Sequence, residues 1–143
     1  MVSRFWKMIV VTVMALCLTG CGKESQTAPS QGASRFVVRV DVDGRHQSKR
    51  IQRSYDSQEK MVAVLNCMRL LRSLGPAKND PGMLAGNGFD VRVWYSDGES
   101  GIYRLRSEQF LSKDSQAWQL VDPRQAQCLP PLLEAMPSDF EDI

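Results

Sequence analysis

Phe36, Val38, Val40 and Val42 alternate with Arg35, Val37, Arg39 and Asp41, the period-two pattern of a strand with one face in a core. Asp43-Gly44 follows as a tight hairpin turn, and the more polar return from Gln47 to Tyr55 reads as an edge strand. The period then changes. Met61, Val64, Leu65, Met68, Leu71 and Leu74 recur at helical spacing, with Asp56 and Glu59 placed as a capping box and Gly75-Pro76 placed as cap and breaker. From Pro76 to Gly88 the chain is loop-like. Phe89, Val91, Val93 and Tyr95 then alternate with Asp90, Arg92 and Trp94, and Ser96-Asp97-Gly98-Glu99 turns the chain into a partner strand over Gly101 to Arg106. After Phe110 and Leu111, a short strand over Ala117 to Val121 has Trp118 and Leu120 inward. Asp122-Pro123 opens a last helix, which Pro130-Pro131 interrupts and whose buried side is Leu132, Leu133 and Met136. The fold class is α+β: a small antiparallel sheet of about five strands with two helices on one face, in the order ββαβββα.

The amino-terminal pattern is different. Arg4 and Lys7 precede an apolar run from Met8 to Leu18, and Leu18-Thr19-Gly20-Cys21 ends it. The run is shorter than the roughly 20 apolar residues of a transmembrane helix, and charge, apolar core and small residues follow the order of a secretory signal. Residues 1–21 resemble the bacterial lipoprotein signal peptide. That resemblance implies removal of residues 1–20, diacylation of the Cys21 thiol, and attachment to a membrane through that lipid. An ordinary secretory signal with an incidental cysteine is the competing reading. In this family an Asp after the lipidated cysteine favours inner-membrane retention; Gly22 stands there, which leaves cell membrane and outer membrane open.

Residues 21–34 are small and polar, the composition of a flexible tether with a root-mean-square span of roughly 20 Å. Residues 35–137 form a single globular domain, and residues 138–143, with Asp139, Glu141 and Asp142, an acidic tail. Losing Arg4 and Lys7 with the signal removes the formal charge of +2, so the exported chain is neutral. Nucleic acid is therefore not an expected partner. Arg35, Arg39, Arg45, Lys49, Arg50 and Arg53 still cluster early, as solvated charges that discourage edge pairing or as a patch for anionic headgroups.

Of four cysteines, Cys17 leaves with the signal and Cys21 carries lipid. Cys67 and Cys128 remain, either as a disulfide in an oxidising compartment or as two separately buried thiols. No metal site or cofactor is expected, since two distant cysteines and the lone His46 make no ligand pattern.

Catalytic signals are weak. Asp90, Asp97 and Glu99 are the acids that a glycan hydrolase would draw on, and no nucleophile has a base placed by motif. Trp94 falls on the polar side of its strand, where it is either an exposed anchor or is covered by the second helix or the Phe110-Leu111 turn. The candidate binding surface is Arg92, Trp94, Asp97 and Glu99. Residues 89–136, with their aromatic strands around the Tyr-Ser-Asp-Gly turn, resemble small lipoprotein domains of unassigned function, which implies a shape and no activity. The expectation is a lipid-anchored extracytoplasmic protein, a non-enzymatic binding or envelope-assembly module for an envelope protein or glycan. An envelope glycan or peptidoglycan hydrolase is the alternative.

Overall fold

The computed structural model describes residues 34–81 and 87–140. Residues 1–33, with Cys17, Cys21 and most of the expected tether, lie outside that description, as do residues 141–143 of the expected tail. The described chain runs β1 (Val37–His46), β2 (Lys49–Tyr55), α1 (Gln58–Leu70), β3 (Ser73–Pro76), β4 (Gly88–Tyr95), β5 (Ser100–Arg106), β6 (Phe110–Lys113), β7 (Gln119–Val121), α2 (Pro123–Ala126) and α3 (Leu129–Ala135). The class is α+β. The seven strands form one antiparallel sheet in the order β2-β1-β4-β5-β6-β7-β3, so both the expected count of about five and the expected order are corrected.

The inner face of the sheet follows from the alternation. Val40 and Val42 of β1 stand beside Val93 and Val91 of β4, and Phe89 stands beside Leu105 of β5. These side chains, with Ile51 and Tyr55 of β2, are almost wholly buried. Met61, Val64, Cys67 and Met68 of α1, Ala126 of α2, and Leu129 and Leu133 of α3 complete the core. Asp122 caps α2 as its sequence predicts, accepting from the Arg124 amide at 2.9 Å, and Pro123 sits in the first turn. Cys67 and Cys128 are joined as a disulfide with Cα atoms 5.9 Å apart, tying α1 to the residue before α3.

Three local expectations fail for physical reasons. Asp43-Gly44 is not a turn: Asp43 pairs with Gln52 and Gly44 with Ile51 inside the β1–β2 ladder. The glycine is there because a Cβ would meet the Gly88 carbonyl at 2.2 Å and the Phe89 ring at 2.5 Å. The turn falls at Gln47-Ser48, whose φ values of 49° and 65° are left-handed, as in the hairpin turn that usually takes Asn-Gly. Ser107-Glu108 and Asp114-Ser115 make turns of the same kind. Second, α1 stops at Leu70, and Leu71 turns into extended backbone. Ser73 and Gly75 then pair with Val121 and Leu120 of β7, which closes that end of the sheet and leaves Leu74 68% exposed. Third, Leu120 stands opposite Phe110, on the other face from the Leu111–Gln119 pair, and neither Trp118 nor Leu120 joins the core. The buried residue of β7 is Val121.

The start of α1 is also built differently. Ser57 occupies the cap position without a side-chain cap bond, and the expected box of Asp56 and Glu59 is not formed. The carboxylate comes from Asp139, which accepts from the Asp56 amide at 3.0 Å and the Ser57 amide at 2.8 Å and pairs with Lys60 at 2.6 Å. Ser138 and Asp139 also take the Ser54 amide and carbonyl on the open edge of β2. The start of the expected tail is thus a clasp that covers an unpaired strand edge. Tyr55 fixes it from below by donating to the Met136 carbonyl at 2.7 Å; burial pushes its phenol up to about 12, so it remains a donor across the neutral range.

Lys60, followed by the amides of Ser57 and Asp56, holds the Asp139 carboxyl far below the usual carboxylate range. A depressed carboxyl pKa contributes stability above the unfolded value of about 3.9, and that stability is lost as pH falls toward the folded value. Asp139→Ala is therefore expected to lower the melting temperature at pH 7 by about 5 °C, the scale of a lost helix cap. The difference should shrink below about pH 4. Calorimetry at pH 7 and pH 3 checks this, and identical melting at pH 7 would contradict it.

Candidate binding face

With α1, α2 and α3 on the inner side, the other face of the sheet has no helix among the described residues. Strand register decides what stands on it. Arg39, Asp41, Asp43 and Arg45 of β1 are aligned with Ser54, Gln52 and Arg50 of β2, with Trp94, Arg92, Asp90 and Gly88 of β4, and through β4 with Ile102, Arg104 and Arg106 of β5. The face carries six arginines, at 39, 45, 50, 92, 104 and 106, against three aspartates, at 41, 43 and 90.

Each aspartate is already engaged. Asp41 accepts from Arg39 Nε at 2.6 Å and from the Trp94 indole Nε1 at 2.8 Å. Asp43 pairs with Arg50 at 3.2 Å, and Asp90 with Arg106 at 2.8 Å. The pairing with Asp43 raises the Arg50 pKa above the usual guanidinium value. Asp43 and Asp90 are direct cross-strand neighbours, a repulsive arrangement that their arginines offset. Among the described residues, Arg45, Arg92 and Arg104 have no carboxylate partner. Arg92 reaches Ser100 at 3.4 Å and lies 5.6 Å over the Trp94 ring, and Arg104 reaches Ser115 at 3.5 Å.

The surface between them is grooved. One cleft of about 340 Å³ is lined by Asp43, Arg45, Arg50, Gly88, Asp90 and Arg106. Gly88 is its floor: it separates Arg45 from Arg106 by two strand spacings, roughly 10 Å, and has no side chain to fill the gap. Arg106 lies against that floor, donating to the carbonyls of Leu105 at 3.0 Å and Phe89 at 3.4 Å; a Cβ on Gly88 would press on its Cδ at 3.2 Å. A second cleft of about 280 Å³ continues past Asp43 and Asp90 to Asp41, Arg92 and Ile102.

No family model, curated protein or solved structure matches the chain. The reading of this face therefore rests on its own chemistry.

The candidate surface read from the sequence divides in two. Arg92 and Trp94 stand on the open face, and Trp94 is half-buried through Asp41 and Arg92, with neither the second helix nor the Phe110-Leu111 turn over it. Asp97 and Glu99 lie in the β4–β5 turn, where both pair with Arg35, at 3.3 and 3.6 Å, and Arg35 stacks 3.8 Å over Tyr95. Asp90 lies four strand residues before Trp94, roughly 13 Å away, so it does not face Asp97 or Glu99 at the separation of a glycosidase pair. His46 lies 3.8 Å from Glu108 at the opposite end of β1. No group of metal-ligating side chains occurs among the described residues, and no described helix is long and apolar enough to cross a membrane. Arg45, Arg104 and Arg106 were not on the sequence-derived surface; the period of β5 puts Arg104 and Arg106 on one face of that strand, and only the strand register places them and Arg45 beside Arg92.

Proposed function

We propose that this chain is a lipid-anchored, extracytoplasmic binding protein that holds its helix-free sheet face toward a partner in the bacterial envelope. The Leu18-Thr19-Gly20-Cys21 segment supports the anchor: removal of residues 1–20 leaves Cys21 as the amino terminus, acylated, with a short polar tether before the domain. The observation that carries the binding role is the open face itself. Three guanidiniums without carboxylate partners among the described residues stand there beside an indole that Asp41 fixes in place. Rigid Trp and Arg side chains are the residue types that dominate recognition surfaces. A structural role alone does not call for them, since the core lies entirely on the other side of the sheet.

The arrangement favours binding over hydrolysis. Hydrolysis of a glycosidic bond needs one carboxyl free to give a proton and a second free to attack or activate water. Asp41, Asp43 and Asp90 are instead each bound to an arginine. Mass spectrometry of the protein from bacterial membranes tests the anchor: the amino-terminal peptide should begin at Cys21 with acyl chains attached. An unmodified mature chain beginning elsewhere would overturn it.

A further inference from the structure

The occupant of the open face can be specified by its chemistry, on the reading of that face as the binding surface. We infer that it is an acidic glycan, a saccharide chain bearing carboxylate or phosphate groups.

The charge balance comes first. The exported chain is formally neutral, yet strands β1, β2, β4 and β5 place six arginines and three aspartates on one face. That concentrates an excess of three positive charges on one side of the molecule and draws anions to it. Arginine is also the side chain whose planar fork matches carboxylate and phosphate oxygens in pairs.

The position of the charges then distinguishes among anionic partners. Asp43 and Asp90 sit at the junction of the two clefts, with Arg45 and Arg106 to one side, Arg92 to the other, and Arg104 directly across from Asp90 on β5. A protein interface is enriched in Arg and aromatic residues but depleted in Asp, whereas here Asp43 and Asp90 stand at the centre and the aromatic groups Trp94 and Phe110 toward its margins. A flat anionic bilayer would meet the arginine heads but could not enter the two clefts where Asp43 and Asp90 stand. A saccharide meets both kinds of group: its hydroxyls donate to Asp43 and Asp90, which remain acceptors while paired, and its acidic substituents take Arg45, Arg92 and Arg104. The clefts are open and polar, as a hydrated ligand requires, and Gly88 keeps the floor clear between Arg45 and Arg106.

The test is equilibrium binding of the soluble domain with its tether, residues 22–143, to four probes at low salt: oligogalacturonate, phosphomannan, neutral dextran of similar length, and polyglutamate. Oligogalacturonate or phosphomannan should bind saturably, and which of the two binds more tightly identifies the acidic group. Neutral dextran and polyglutamate should bind at least tenfold more weakly. Arg45→Ala and Arg104→Ala, at positions outside the core, should each weaken the acidic glycan by roughly tenfold, the scale of one charge-assisted pair, with the melting temperature unchanged. Failure of both acidic glycans to bind would overturn the inference, as would equal binding of dextran or polyglutamate. Failure here differs from failure of the binding role itself: a domain that ignores glycans but loses an envelope partner on Arg92→Ala with Trp94→Ala retains the role and refutes only the ligand.

Discussion

Replacing Cys67 and Cys128 together by alanine is expected to destabilise the domain by about 4 kcal/mol, from the loss of a cross-link that closes 61 residues of chain. For a domain of this size that corresponds to a fall of about 20 °C in melting temperature. The bridge joins the last turn of α1 to the residue before α3, and these elements lie far apart in sequence with the five strands β3 to β7 threaded between them. Without it the helical layer is held only by its own core contacts, among them Met61, Val64, Leu129 and Leu133. Thermal unfolding of the double variant, and of the native protein with and without reductant, checks the expectation. A shift below about 5 °C in both would contradict it.

Gly44→Val should be comparably damaging, costing more than about 3 kcal/mol or preventing folding, the range of severe overpacking. The Cβ has no room: the Gly88 carbonyl stands at 2.2 Å and the Phe89 ring at 2.5 Å, and the first of these is backbone that the β1–β4 ladder holds in place. A second substitution at the same position distinguishes the observed register from the sequence reading. In a solvent-exposed Asp43-Gly44 turn, Gly44→Asn would cost little, because Asn also accepts left-handed backbone. In the ladder it should lower the melting temperature by more than about 10 °C. Thermal unfolding of Gly44→Asn, with Gln47→Asn as the matched substitution in the actual turn, measures the contrast. A tolerated Gly44→Asn would place the turn back at Asp43-Gly44.

Much of the fold was legible because period and punctuation agreed. The β4–β5 hairpin announces itself through Phe89 to Tyr95 and the Asp97-Gly98 turn, and α1 through Met61, Val64 and Met68. What was missed depended on distant partners. Leu71 and Leu74 continue a helical period, and only pairing with β7 selects strand for Ser73–Pro76. Three hairpins turn on Gln-Ser, Ser-Glu and Asp-Ser, none of which carries the glycine that such turns ordinarily show. The carboxylate at the start of α1 comes from Asp139, more than 80 residues downstream, beyond any local capping pattern. The site divides in the same way. Alternation placed Arg92 and Trp94 on the open face, while Arg45, Arg104 and Arg106 join them only once β1, β4 and β5 are aligned in register.

The claim that the open sheet face is the working surface is tested most directly by crosslinking on intact cells. A photoreactive residue at Ile102, beside Arg92 on that face, is compared with one at Val62 on the exposed side of α1. Ile102 should yield discrete adducts that disappear when Arg92 and Trp94 are both alanine, and Val62 should yield none. Adducts from Val62 alone, or Ile102 adducts that survive the double substitution, would contradict the account.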